Sequence, residues 1–300
     1  MNSPFKDGLL DGKVAFIAGG TSGINLGIAK RYAELGAKVA VLGRNPEKAA
    51  AAAAEIGHDA IGLTADVRDY GAIRGAMEEV RSKFGPLDIV VSGAAGNFLA
   101  PVLGMSANAF KTVVDIDLLG TFHVVRAAFP YMTKPGASVI NISAPQAWIP
   151  MEFQMHVCAA KAGVDMVTRV AAIEWGPLGV RVNSISPGPI ENTEGMRRLA
   201  PTDEAETRIK SRIALRDYGT KTDIAEMATF IVAPVAIPSS TRITVFPSTS
   251  GIGRSPRYAF SLRASSCCSP LSTSSMTPSG ICMESTISAF STRSPPIVIA

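Results

Sequence analysis

From residue 13 to about residue 235, short apolar or β-branched runs alternate with longer stretches whose apolar positions recur at helical spacing. VAFIAG, KVAVLG, DAIGLTA and LDIVVSG read as strands, with helical stretches at 23–36, 46–57 and 69–84 between them. Farther on come ASVINIS, a long helical stretch near 154–177, VRVNSISP, and helical stretches around 203–213 and 221–233. Strand, helix and strand in repetition signal an α/β fold, a parallel sheet with helices on both faces. Right-handed crossovers make it a doubly wound Rossmann sheet, and its ligand belongs at the carboxyl ends of the strands.

The pattern stops near residue 236. Residues 239–300 hold 17 serines, many Pro and Thr, no Asp and no Lys. A segment with neither periodicity nor balanced charge fits disorder, and so abrupt a change also fits a frameshift that replaced the original C-terminus. The expected organisation is a Rossmann domain over 1–236 and an atypical Ser/Pro-rich tail over 237–300.

Composition adds limits. At 300 residues, 47% hydrophobic and 18% charged, the chain has material for one large globular core. Its first residues, MNSPFKDGLLDGK, lack the basic start and apolar run of a secretory signal, and no stretch approaches the roughly 18 apolar residues of a membrane span. A cytoplasmic protein without a membrane partner is expected. The net charge of +4 lies wholly in residues 239–300, where five Arg face the single acid Glu284, while residues 1–238 balance 24 basic against 24 acidic side chains. A neutral body argues against nucleic acid as a partner. Cys158 stands alone, and Cys267, Cys268 and Cys282 lack zinc-ligand spacing with histidines, so no metal site is expected.

VAFIAGGTSGINLGIAKRYAELGAKVAVLGRN is a strand, a glycine turn, a helix and a second strand. Gly19 and Gly23 let the backbone approach a pyrophosphate resting on the helix N-terminus, where free N–H groups and the dipole favour anions. The second strand ends at Gly43-Arg44. A carboxylate there would accept the ribose hydroxyls of NAD, whereas a small residue followed by Arg offers a cationic fork to the extra phosphate of NADP(H), the cofactor expected here.

This unit resembles the short-chain dehydrogenase/reductase family, whose loop reads T-G-x-x-x-G-x-G. The resemblance places Gly19, Thr21, Ser22, Gly23 and Ile24 against the cofactor; Asn25 stands where the family has its last glycine. A working loop is expected because Asn tolerates left-handed backbone angles better than most residues. Asp66-Val67 matches the family's adenine contact. SGAAGN (92–97) stands where the family has N-N-A-G, which brings Ala94, Ala95 and Gly96 to the cofactor, with Ser92 and Gly93 departing from the pattern. Pro187, Gly188 and Ile190 of PGPI complete the implied contacts.

Family members that reduce ketones use a Ser-Tyr-Lys-Asn set, in which Tyr protonates the oxygen. Alignment on Lys161 and ASVINIS puts Ala144 at the serine, Val157 at the tyrosine and Asp117 at the asparagine, and no tyrosine lies between that strand and Lys161. The departures match one branch. AAGNFLAP (94–101), AFKTVVDIDLLGTF (109–122), QMHVCAAKAGVD (154–165), VTRVAAIEWGPLGVRVNSISPGPI (167–190) and TEGMRRL (193–199) resemble the peroxisomal-type 2,4-dienoyl-CoA reductases and their bacterial relatives over about residues 10–236.

That resemblance implies NADPH-dependent reduction of a 2,4-dienoyl-CoA to a 3-enoyl-CoA in unsaturated fatty acid breakdown. Rival readings are an oxidoreductase for another conjugated acyl-CoA and a catalytically disabled dinucleotide-binding relative. Lys161 would hold the cofactor ribose and lend positive charge, and Asp117 would act as acid/base or orient a water. Asn97 and Phe98 fall near the substrate, Phe98 serving either substrate or core; Gln154 and His156 serve either substrate or packing. Arg197 and Arg198 suit the phosphates of coenzyme A, or else belong to a solvated helix face. A homo-oligomer, dimer or tetramer, is expected if the tail permits, and assembly weaker than the family's is expected because TRITVFPSTSGIG lacks the family's Asp-Gly-Gly turn.

Overall fold

The computed structural model describes residues 4–233 and the backbone of 241–246 and 259–264. Strands β1 (Val14–Ala18), β2 (Lys38–Gly43), β3 (Ile61–Thr64), β4 (Ile89–Ser92), β5 (Ser138–Ile142) and β6 (Arg181–Pro187) pair in parallel in the order β3-β2-β1-β4-β5-β6. This is the doubly wound sheet expected from the pattern. Because β1 pairs with both β2 and β4, the order reverses at β1, and the crevice outside its carboxyl end is where a ligand belongs.

Successive residues of a strand face opposite sides, so each buried strand feeds two cores. Ala15 and Ile17 of β1 join Val39, Val41, Ile89 and Ile140 beneath helices α1 (Gly23–Glu34) and α2 (Pro46–Ile56). Val14, Phe16 and Ala18 join Ala40, Leu42, Val90 and Val139 beneath α3 (Tyr70–Phe84) on the other face. Caps fix where α2 and α3 begin: Asn45 accepts from Lys48 N at 2.7 Å, and Asp69 accepts from Ala72 N at 3.0 Å.

The alternation assigns no element to residues 100–135, and here the structure adds two helices. α4 (Ala107–Val114) runs into one π-helical turn, Asp115–Leu119, and continues as α5 (Gly120–Ala128). The wider turn shifts the phase of the 3.6-residue repeat, which hides the helix from a periodicity reading, and such turns favour functional sites. It also turns Asp117 inward, to 1% exposure. α6 (Met155–Trp175) lies directly against this turn, since a Cβ at Gly163 would stand 2.7 Å from Leu118 Cδ2.

After β6 come α7 (Glu194–Leu199), α8 (Asp203–Lys210) and α9 (Lys221–Val232); Thr220 and Asp223 form a capping box at the start of α9. β7 (Thr241–Phe246) adds in parallel to β6, and β8 (Ala259–Ala264) pairs antiparallel to β7. The sheet therefore continues beyond residue 236 and is not parallel throughout. The rest of the Ser/Pro-rich segment, including Cys267, Cys268, Cys282 and the expected loss of the Asp-Gly-Gly turn, lies outside the described residues.

Candidate active site

The glycine loop joins β1 to α1 at the switch point. Gly19 (φ +76°) and Gly23 (φ +61°) take left-handed backbone angles, which glycine adopts without a steric penalty. At Gly19 a Cβ would stand 2.7 Å from Ala94 N, whereas at Gly23 it would meet nothing within 4 Å. The loop thus presses against the β4 exit on one side and leaves an open cradle on the other, as a dinucleotide pyrophosphate requires. A cavity of about 290 Å³ opens there, lined by Ser22, Gly23, Lys48, Asn192, Glu194, Arg197 and Arg198. Thr21 packs against Gly43, whose Cβ would lie 2.6 Å from Thr21 Cγ2. That contact sets the exposed Arg44 beside the loop.

Asn25 corrects an expectation. It belongs to the first turn of α1 and is not among the residues with positive φ, so its tolerance of left-handed angles plays no part. Its Nδ2 donates to Gly93 O at 2.8 Å and to Gly19 O at 3.4 Å.

Asp66 and Val67 follow β3. The Asp66 carboxylate accepts from Arg68 Nε at 3.0 Å and Nη2 at 2.7 Å, and these bonds, with the charges of Arg68 and Arg44, hold it below the ordinary carboxylate pKa. Val67 is buried against α5, and its carbonyl bonds His123 Nδ1 at 2.8 Å. Pro187 ends β6, Gly188 follows, and Ile190 bridges Gly219 while its carbonyl accepts from Thr193 Oγ1 at 2.8 Å.

Asp117 and Lys161 meet although 44 positions separate them in sequence. Lys161 Nζ lies 3.2 Å from Asp117 Oδ2 and donates to Ile142 O at 3.0 Å. Asp117 Oδ1 accepts from Gly96 N at 2.7 Å, which ties the carboxylate to the 94–97 loop at the β4 exit. One ammonium and one carboxylate, both nearly dry, thus face the strand ends where the cradle opens. Val157, at the tyrosine position, packs with Val113 and Ala160 in a small apolar cluster joined by Phe98 and Leu118, so no phenol faces the site from α6.

Beside the pair, Asn97 Nδ2 donates to Gln154 Oε1 at 3.0 Å, and Arg198 Nη1 donates to Asn97 O at 3.2 Å. Phe98 both packs in the apolar cluster and lies over the buried His156, ring centroids 4.2 Å apart. Burial keeps His156 below its ordinary pKa, opposed by the nearby Asp117 carboxylate. Arg197 and Arg198 share hydrogen bonds with Glu194 on α7 and line the same cavity as Ser22 and Gly23.

Sequence reasoning missed several participants. Thr121 Oγ1 donates to Asp117 O at 2.7 Å and receives Ser92 Oγ at 3.3 Å; its spacing of four from Asp117 was the available signal. Gln146 Nε2 donates to Gln154 Oε1 at 3.1 Å, and Lys48 lines the cavity; neither position carried a signal. Among the described residues, no cluster of His, Cys, Asp and Glu could hold a metal ion, and no helix is long and apolar enough to cross a membrane.

A Rossmann sheet with a glycine cradle at its switch point and a buried carboxylate–ammonium pair beside it defines a dinucleotide-dependent oxidoreductase. The family described as Enoyl-(Acyl carrier protein) reductase matches residues 18–238, and the chain belongs to the short-chain dehydrogenase/reductase family. It is 43% identical over 244 residues to the peroxisomal 2,4-dienoyl-CoA reductase [(3E)-enoyl-CoA-producing] of Arabidopsis thaliana, a match covering 77% of this chain and 82% of that protein. It is 41% identical to the enzyme of the same description in Saccharomyces cerevisiae, covering 76% and 80%. Identity to a probable 2,4-dienoyl-CoA reductase [(2E)-enoyl-CoA-producing] of Bacillus subtilis is 37%, covering 76% and 92%. Among solved structures, a short chain dehydrogenase from Bacillus anthracis superposes with a TM-score of 0.70 at 35% identity, covering 78% of this chain and 94% of that one.

Proposed function

We propose that the chain is an NADPH-dependent 2,4-dienoyl-CoA reductase that yields a 3-enoyl-CoA in the breakdown of unsaturated fatty acids. The observation that carries this is the buried Asp117–Lys161 pair in a site where Val157 stands in place of a phenol. The relatives' printed activities support the same reading.

When bound, NADPH supplies a hydride. Hydride added at C5 of a conjugated dienoyl thioester shifts the C4–C5 electron pair to C3–C4 and sends the C2–C3 pair toward the thioester oxygen. Protonation at C2 then leaves the 3-enoyl product. No ketone oxygen needs a proton, so a tyrosine is dispensable. The developing negative charge needs a fixed cation and a proton source, and low-dielectric surroundings strengthen both. Lys161 provides the charge and holds the ribose; Asp117 orients a water or passes its proton. Gly96 N, which hydrogen bonds Asp117, keeps the carboxylate aimed while the lysine is engaged elsewhere.

The cofactor-binding set is Gly19, Thr21, Ser22, Gly23, Ile24, Arg44, Asp66, Val67, Ala94, Ala95, Gly96, Lys161, Pro187, Gly188 and Ile190. Arg44 favours NADPH because an exposed arginine, not a carboxylate, follows Gly43 at the end of β2. Asn97, Phe98 and Gln154 form the acyl side of the site, and Arg197 and Arg198 take phosphates of the coenzyme A moiety. Met166, Val170 and Ile173, exposed on one face of α6, support self-association into a dimer or tetramer, which sedimentation would measure. Residues 1–236 are proposed as the catalytic domain, with the atypical segment following. Cytoplasmic residence belongs to the same proposal and is tested by cell fractionation; the plant and yeast relatives are named as peroxisomal.

The deciding experiment follows NADPH consumption with a trans-2,trans-4-dienoyl-CoA, beside NADH, a 2-enoyl-CoA and a 3-ketoacyl-CoA. Turnover confined to the dienoyl-CoA with NADPH is expected. Turnover of a different conjugated thioester would reassign the substrate, and NADPH binding without any turnover would make the chain a disabled relative.

A further inference from the structure

Two departures from the family pattern, Asn25 in the glycine loop and Gly93 at the β4 exit, are 68 positions apart in sequence and in contact in the fold. We propose that they form one compensated unit, in which Asn25 is a positioning residue of the dinucleotide site and Gly93 is the vacancy that admits it.

The geometry leaves little freedom. A Cβ at Gly93 would stand 2.3 Å from Asn25 Nδ2 and 2.5 Å from its Oδ1, closer than non-bonded atoms approach, so any side chain there collides with the Asn25 amide. The amide has one workable orientation. Nδ2 faces the carbonyls of Gly19 and Gly93, and turning the group over would point an oxygen at two oxygens. Asn25 is only 7% exposed, so no water replaces those bonds without reopening the packing.

The two carbonyls flank the cofactor's seat. Gly19 N donates to Leu42 O at 2.9 Å, and Gly93 N donates to Ala18 O at 3.1 Å, so each residue is already anchored through its N–H to a neighbouring strand. Asn25 closes the remaining side, stapling the phosphate loop to the strand exit that continues into Ala94 and Gly96. An Asn at this position therefore strengthens the seat, and what first looks like a defect of the loop is its brace.

The test uses the full chain and three substitutions, with NADPH binding read by its fluorescence in the absence of any acyl substrate. This proposal rests on a dinucleotide occupying the loop; failure of the native protein to bind both NADPH and NADH would sink that reading instead. Asn25→Asp keeps the shape but sets oxygens against both carbonyls, and is expected to raise the NADPH dissociation constant about tenfold, the scale of one buried polar mismatch. Acyl-CoA KM stays within about twofold, because the acyl side of the site touches neither carbonyl. Gly93→Ala is expected to weaken NADPH binding to a similar degree in the native background and by less than about twofold in an Asn25→Gly background, where the collision is gone. Equal losses in both backgrounds, full NADPH affinity in Asn25→Asp, or a matching rise in acyl-CoA KM would overturn the proposal. Should Asn25→Asp or Gly93→Ala fail to fold, recovery of folded, NADPH-binding protein by adding Asn25→Gly to Gly93→Ala decides the matter, and its absence counts against it.

Discussion

Lys161 Nζ sits 3.2 Å from Asp117 Oδ2 with the two side chains only 8% and 1% exposed. A pair this dry is held by its surroundings as much as by its own attraction, because removing both charges from water is unfavourable unless further hydrogen bonds satisfy them. Ile142 O and Gly96 N supply those bonds. The pair, the chemical centre of the proposed mechanism, is therefore also a structural joint between α6, the π-helical turn and the 94–97 loop.

Asp117→Asn keeps an acceptor for Gly96 N but removes the charge and the titrating group. We expect kcat on a dienoyl-CoA to fall by about 10²–10³, within the range of a lost general acid–base. Both Asp117→Asn and Asp117→Ala leave Lys161 buried without its counter-charge and should lower the unfolding free energy by about 3–5 kcal/mol, and Asp117→Ala should cost about 1–3 kcal/mol more because Gly96 N loses its acceptor. Steady-state kinetics and denaturant melts separate the two effects.

Val157→Tyr restores the residue that ketone-reducing relatives use, and it should not restore their activity. The side chain points into the cluster with Val113 and Ala160, so a phenol there overpacks it by about 1–3 kcal/mol. The expected outcome is a lowered Tm and no turnover of a 3-ketoacyl-CoA with NADPH. Appearance of that turnover would refute the packing account.

Arg44→Asp should move the cofactor preference toward NADH. The ratio of kcat/KM for NADPH over NADH is expected to fall about 100-fold, one tenfold loss from the missing guanidinium fork and one from the repulsive carboxylate. The same assay with Arg44→Ala isolates the first of these.

Arg197→Ala and Arg198→Ala distinguish two phosphates. Both arginines line the cavity with Ser22 and Gly23, and Arg198 also reaches Asn97 O. If they serve coenzyme A, KM for the dienoyl-CoA should rise about tenfold while KM for a dienoyl pantetheine thioester, which lacks the nucleotide phosphates, stays put. A rise confined to the NADPH KM would assign them to the cofactor instead.

His156 adds a pH dependence to stability. Burial lowers its pKa in the folded protein from the ordinary 6.5, so the unfolded chain takes up a proton first as pH falls. The neutral imidazole's contribution is complete above pH 6.5 and declines through the interval from 6.5 down to the lowered folded value. His156→Phe, which keeps a ring against Phe98, should flatten the Tm difference between pH 7.5 and pH 5.5.

Much of this molecule was legible in sequence. β1 to β6 and the helices that follow β1, β2 and β3 stand within a few residues of their expected bounds, because a strand buried on both faces must be apolar nearly throughout and a surface helix must repeat at 3.6. The glycine loop and Arg44 could be read from local spacing, which carries the chemistry of a turn, whereas Asp117 and Lys161 were indicated by the resemblance to the reductase branch. Other features were decided only by tertiary structure. The π-helical turn broke the period that would have revealed α4 and α5, yet it is what turns Asp117 inward. Asn25 and Gly93 read as two separate irregularities until the sheet order set β1 beside β4 and brought the amide onto both carbonyls. Periodicity reports which face of an element is buried, whereas the partner across that face is chosen by the crossovers, and those contacts join residues that no local window holds together.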